Sequence, residues 1–144
     1  MTEQTERWVV LDVGETIIEE SRFWRAWAEE LGIPEMTFMA VFGAIVARGQ
    51  GYPDVASYFE IEDWGLHRES VEARLGGFQP GDLYPDAIPS LRELRRRGYR
   101  TAVIGNQPAE RNGQLRALGV DVEVMAMSEE MGVMKPDPAF FSAT

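Results

Sequence analysis

Residues 8–18 read WVVLDVGETII. The continuous apolar run Trp8–Leu11 is too short for a stable helix. It stops at Asp12 and Gly14, the pattern of a short buried strand that runs into a tight loop. In open parallel sheets, ligands bind just beyond the carboxyl ends of the strands. Asp12 stands at such an end if the rest of the chain builds such a sheet, and is a turn residue if it does not.

Downstream the hydrophobic period changes. Phe23, Trp24, Trp27 and Leu31 recur at helical spacing from about Ser21, and LGIP at residues 31–34 stops that helix. A second helix is expected over residues 34–47. Phe38, Met39, Phe42, Ile45 and Val46 cover more than one of its faces, so it should be sandwiched. Two shorter helices are predicted over residues 54–60 and 67–75. GGFQPGDLYPD at residues 76–86 is a Gly/Pro/Asp-rich linker. The pattern then alternates. A helix is predicted over residues 86–97, with Pro89 in its first turn and Gly98 just past its end. YRTAVIG at residues 99–105 reads as a strand. Residues 108–119 read as a helix closed by Gly119, and residues 120–127 as another strand. KPDPAFF at residues 135–141 opens a further helix, with Asp137 as its cap and Pro138 at its first position. Strands alternating with helices predict a parallel sheet. The expected fold is α/β, a Rossmann-like parallel sheet formed by residues 1–18 and 80–144, with a helical insertion over residues 19–79.

Composition narrows the function. The chain has 144 residues, a net charge of −10 and a pI of about 4.6. Such acidity argues against general nucleic-acid binding and against adhesion to anionic membranes. A small-molecule substrate, including a phosphorylated one, remains open because a local site can be positive. There is no cysteine, so thiolate chemistry and a disulfide framework are excluded. The single histidine, His67, excludes a His-rich metal site and reads best as a helix-surface residue. No basic segment followed by an apolar one opens the chain, and the longest uncharged run, residues 36–47, is too short to span a bilayer. The expected location is the cytoplasm.

Three strand ends then draw attention: LDVGETI at residues 11–17, VIGNQP at residues 103–108, and the lead-in to GVMKPDP at residues 132–138. Together they bring an Asp, an Asn and a Lys to one sheet edge. Lys135 is the only lysine beside 13 arginines. A chain that otherwise writes arginine uses lysine where a compact point charge has to fit beside a carboxylate. A carboxylate at the edge can act as a nucleophile, the amides around Gly14 can cradle an anion, and a lysine can neutralise charge on the transferred group. The bland alternatives are a surface lysine at 135 and a turn-forming Asn106 ahead of Pro108. Arg92, Arg95, Arg96, Arg97 and Arg100 read as a solvated face rather than a phosphate patch, and Trp24 and Trp27 as packing.

This ordered set resembles the haloacid dehalogenase superfamily of aspartate-nucleophile hydrolases. VVLDVGETI matches its first motif, YRTAVIGNQP its second and GVMKPDPAFF its third. DLYPDAIPSLRELRRRGYR resembles the segment that re-enters the core, and the helical insertion matches the family's C1 cap. The resemblance implies that Asp12 is a nucleophile transiently acylphosphorylated, that Lys135 holds the phosphoryl group and Asp12, and that Thr16 braces the first loop. Gly105 and Asn106 would line the substrate side of the cleft. Mg²⁺ would be bound by the Asp12 carboxylate and the Gly14 carbonyl.

Three features depart from the family pattern. Gly14 replaces the Asp that protonates the leaving group, and the adjacent Glu15 is a poor substitute because one step along a loop usually points elsewhere. Gly105 replaces the Ser or Thr hydroxyl of the second motif. The acidic fourth motif, which helps hold Mg²⁺, is expected beyond Thr144, so the metal site should be weak or incomplete. The leading expectation is an aspartate-nucleophile hydrolase of a small phosphorylated or halogenated metabolite. The alternative is a catalytically silent fragment or interaction module with the first half of the fold. The same incompleteness would leave Trp8–Leu11 at the sheet's edge, where an apolar unpaired strand invites a homodimer.

Overall fold

The computed structural model describes residues 6–51 and 53–142. Residues 1–5, on which the expectation of no leader rests, Tyr52 in the predicted helix break, and residues 143–144 lie outside that range. The described elements are β1 (Trp8–Leu11), α1 (Ser21–Glu30), α2 (Glu35–Ala47), α3 (Asp54–Tyr58), α4 (Trp64–Leu75), a 3₁₀ turn at Pro80–Asp82, α5 (Ala87–Arg96), β2 (Arg100–Gly105), α6 (Glu110–Ala117), β3 (Val124–Met127), α7 (Ser128–Met131) and α8 (Pro138–Ser142). The chain is an α/β protein that divides into two compact units, Met1–Glu19 with Phe78–Thr144, and Glu20–Gly77. The border falls one or two residues inside the span expected from sequence because local bonds hold the flanks to the first unit. The Glu19 N–H donates to the Asp82 carbonyl (2.7 Å), and the Phe78 N–H donates to Gln114 Oε1 (3.0 Å).

The first unit is built on a three-stranded sheet in the order β1-β2-β3, parallel throughout. Leu11 is registered with Val103, and Gly105 with Met127. Alternation along the strands sends side chains to two faces. Leu11, Val103, Met125 and Met127 pack on one face with Ala87 and Leu91 of α5 and Leu115 of α6. Ala102, Ile104, Val124 and Ala126 pack on the other with Phe140 of α8. α5 starts with Pro89 in its first turn and stops before Gly98, whose φ of +79° suits the left-handed turn that ends a helix. Three arginines at its end form ion pairs: Arg95 with Asp121 (2.6 Å), and Arg96 and Arg97 with Glu93. That is the solvated face, not an anion patch. In α8, Asp137 Oδ1 accepts the Ala139 N–H at 2.8 Å, the capping role its sequence position predicts.

Two expectations need correction. Trp8–Leu11 forms the strand but is not fully buried: Trp8 is 38% exposed and Val10 59%. β1 pairs with β2 alone among the described strands, so one edge stays bare. Nor is α2 sandwiched. Phe38 and Ile45 form its buried stripe, while Met36 is 85% exposed and Val46 50%. Hydropathy counts apolar residues but does not say whether anything covers them.

The second unit is all helix. Its core is Trp24, Trp27, Phe38, Ile45, Val55, Val71 and Leu75. Trp27 stacks on Trp64 with ring centroids 4.0 Å apart, so the tryptophans of α1 serve packing. Arg22 closes the end of α4 by donating to the Leu75 and Gly77 carbonyls (3.0 and 2.7 Å), acceptors that a helix C-terminus leaves without partners. His67 Nδ1 lies 3.0 Å from Glu30 Oε1, which ties α4 to α1. No single helix among the described residues is long and apolar enough to cross a membrane.

Candidate active site

The sequence-expected residues Asp12, Gly14, Thr16, Gly105, Asn106 and Lys135 all belong to the first unit. Asp12 follows β1, and Gly105 ends β2, the adjacent strand. Parallel pairing therefore puts both at the carboxyl edge of the sheet. Lys135 comes from the segment between α7 and α8.

The loop after Asp12 is a compact turn wound on one carbonyl. The Ile17 and Ile18 N–H groups donate to the Val13 carbonyl at 2.9 and 3.0 Å, and the Thr16 N–H approaches it at 3.4 Å. The side chains of Val13, Ile17 and Ile18 are buried and anchor this turn to the core. Asp12, half exposed, is left looking out. Gly14 bridges to Ile18, and Thr16 is exposed. Glu15 is held at a φ of +52°, a conformation that costs a non-glycine residue about 1 kcal/mol. Its carboxylate accepts the Tyr84 hydroxyl at 2.7 Å.

Lys135 reaches the same point. Its Nζ lies 2.8 Å from Asp12 Oδ1 and donates to the Ile104 carbonyl at 3.1 Å. Asp12 Oδ1 also accepts the Val13 N–H at 2.8 Å. The Lys135 ammonium lies over the buried Phe140 ring, with Nζ 5.8 Å from the centroid. The pair is partly shielded, Lys135 at 25% and Asp12 at 49% side-chain exposure, so its attraction exceeds that of a fully solvated pair without the cost of complete burial.

Gly105 is buried at the end of β2, where there is no room for a side chain. A Cβ at that position would lie 2.7 Å from Val13 Cγ2 and 3.1 Å from Val13 Cβ. The side chain of Asn106 turns to the main chain of Lys135 with both its polar atoms: Nδ2 donates to the Lys135 carbonyl (2.9 Å), and Oδ1 accepts the Lys135 N–H (2.8 Å). Sequence reasoning missed two participants, the Ile104 carbonyl and the Val13 side chain. A main-chain acceptor has no signature in a sequence, and Val13 looked like any apolar residue.

The model of the haloacid dehalogenase-like hydrolases matches residues 6–144. The chain belongs to this family. A curated relative, phosphatase MT3486 of Mycobacterium tuberculosis (strain CDC 1551 / Oshkosh), is 41% identical over 64 residues, which cover 42% of the chain and 30% of the relative. The chain thus matches less than a third of that protein's length. Among solved structures, the magnesium-bound HAD-hydrolase YfnB of Bacillus subtilis superposes with a TM-score of 0.68 at 16% identity, covering 95% of the chain and 71% of the neighbour. The HAD phosphatase of Thermococcus onnurineus gives 0.57 at 22% identity, covering 97% and 70%. At such identities these likenesses show the fold alone, the α/β sheet of haloacid dehalogenase-like proteins.

Magnesium needs near-octahedral oxygen coordination and commonly takes one or two carboxylates plus waters. Among the described residues, no three Asp, Glu or His side chains group to hold a metal ion. Asp12 Oδ1 already carries the Lys135 ammonium and the Val13 N–H, and the Glu15 carboxylate is bonded to Tyr84. Among the described residues of this haloacid dehalogenase-like chain, the Asp12 carboxylate and the Gly14 carbonyl are the groups that would hold Mg²⁺, fewer than a full octahedral set.

Proposed function

We propose that the chain carries the nucleophilic half of a phosphatase-like hydrolase site, with Asp12 as nucleophile and Lys135 as its cation. The observation that carries this reading is the 2.8 Å contact between Lys135 Nζ and Asp12 Oδ1 at the carboxyl edge of a parallel sheet. A carboxylate oxygen attacks the phosphorus of a small phosphate monoester. The new bond joins Asp12 to phosphorus, and the ester oxygen leaves with its electron pair and takes a proton from water. Water then attacks the acyl phosphate and releases inorganic phosphate and the free carboxylate. Lys135 offsets the negative charge that gathers on the phosphoryl oxygens, a role in which a fixed cation in a partly dry site acts with little reorganisation.

Gly14 brings no proton for the leaving group, so the chemistry favours esters whose leaving oxygen needs none, such as aryl phosphates. By its place in the chain, the helical unit Glu20–Gly77 corresponds to the family's cap and would supply substrate selection. Release of phosphate from p-nitrophenyl phosphate tests the mechanism. Turnover lost in both Asp12→Asn and Lys135→Ala is the expected result. Turnover that survives Asp12→Asn sinks the nucleophile, and no turnover in the wild-type chain favours the silent-module alternative.

A further inference from the structure

We propose that Asn106 is a positioning residue that holds the Lys135 main chain and thereby delivers its ammonium to Asp12. An asparagine amide offers a donor and an acceptor on one edge. Asn106 uses both on a single residue 29 positions along the chain, at 2.9 and 2.8 Å. To meet both at once, the N–H and C=O of Lys135 have to point the same way, as they do in extended backbone. Pro136 supplies that bias, because the residue before a proline is pushed out of the helical region toward extended conformations. Lys135-Pro136 is thus a local sequence suited to the amide that grips it.

The grip is anchored on a rigid support. Asn106 directly follows Gly105, the buried last residue of β2. Two residues earlier on the same strand, Ile104 offers its carbonyl to Lys135 Nζ. The end of β2 and the residue after it therefore hold the lysine at both ends: Asn106 takes its main chain and Ile104 its ammonium. Between these points lies a flexible four-carbon stem, which would otherwise lose considerable rotamer entropy on being directed to one place. With its amide committed in this way, Asn106 acts on the reaction through Lys135. The catalytic consequence rests on the Asp12–Lys135 reading of the site, whereas the positioning itself does not.

Lys135 is the only lysine, so it reports on its own restraint. The full chain is treated with trace acetic anhydride, and acetylation at residue 135 is followed by mass spectrometry relative to the α-amino group. An ammonium held in an ion pair acylates slowly. Asp12→Asn sets the rate for a lysine without its carboxylate. Asn106→Ala, which removes both bonds, should raise Lys135 acetylation by about 5-fold or more, the effect of two ordinary hydrogen bonds' worth of restraint. The unfolding midpoint serves as the check that the fold is retained. Asn106→Leu, close to asparagine in volume, removes both bonds without adding charge, so it should also speed acetylation. It serves as the test if the alanine variant does not fold. Wild-type acetylation rates in a folded Asn106 variant, beside a faster Asp12→Asn, would overturn the proposal. Loss of turnover in the wild-type chain would count against the hydrolase reading and leave this result standing.

Discussion

Replacing Gly105 with serine tests how the second strand end is packed. In a strand without steric constraint, exchanging glycine for a residue with a Cβ stabilises by about 0.5–1 kcal/mol, because glycine loses more backbone freedom on folding. Position 105 should give the opposite sign. The new Cβ would stand 2.7 Å from Val13 Cγ2, 3.1 Å from Val13 Cβ and 3.3 Å from Gln107 Cγ. Gln107 can swing away, but Val13 is fully buried and β-branched. Overpacking of this kind costs ~1–3 kcal/mol. Val13→Ala alone loses two buried methyls, or ~1.5 kcal/mol at ~0.8 kcal/mol per group. In the double variant the 2.7 Å contact is gone and the serine fills part of the space vacated. The combined loss should therefore fall short of the sum of the single losses by ~1 kcal/mol or more, as expected of residues in contact. The assay is urea unfolding of the four proteins at constant pH. With a slope of ~2 kcal/mol per molar urea, Gly105→Ser should lower the midpoint by ~0.5–1.5 M. A Gly105→Ser variant as stable as the wild type, or strictly additive losses, would refute the packing argument. If it holds, a hydroxyl-bearing side chain at 105 requires a change at Val13 as well.

Three further predictions concern other parts of the molecule. Hydrogen bonds from His67 and Ser70, outweighing partial burial and aided by Arg74, hold the Glu30 carboxyl below its ordinary value of 4.5. A folded-state value below the unfolded one stabilises above the unfolded value and is lost as pH falls through the folded one. Glu30→Gln should therefore cost ~1 kcal/mol near neutral pH, with the gap to wild type closing as urea unfolding is repeated at pH below 4.5; a gap that persists at strongly acidic pH contradicts the ion-bonded role. Gly14→Asp should raise phosphate release from an alkyl monoester by ~10²-fold or more and from an aryl phosphate far less, since only the poorer leaving group needs the proton; equal effects on both would contradict that account. Finally, the bare edge of β1 should pair with a second copy of the chain, and Val10→Lys should abolish that pairing because edge lysines block strand addition. Light scattering at ~100 μM, a concentration at which exposed strand edges drive association, should show a dimer for the wild type and a monomer for the variant; a wild-type monomer rules the edge out.

Local features were the legible ones. The first two strands, the order of the three motifs and the start of α5 depend on neighbours a few residues away, through φ preferences, proline and glycine punctuation and apolar runs; the third strand, expected over residues 120–127, forms only at Val124–Met127. Short elements were less so. α7 is a four-residue helix that no periodicity could announce, and α4 begins at Trp64, three residues before the predicted start. Burial was the least legible, because a run of apolar residues looks the same whether a neighbour covers it, as for Val103, or leaves it open, as for Val10 and Met36.

The sequence by itself determined which chemical groups could meet: one carboxylate at a strand end, one lysine before a proline, and glycines at positions 14 and 105. These follow from residue identity and from spacing along one chain. Only the tertiary structure decided what those groups do to each other. The side chain of Asn106 binds the main chain of Lys135, and a side chain at Gly105 would meet Val13. Those contacts join residues 29 and 92 positions apart, and parallel pairing of β1 with β2 is what brings the strand ends together. Hydrogen bonding and steric exclusion act over a few ångströms of space, and chain separation does not reveal which distant residues will come that close.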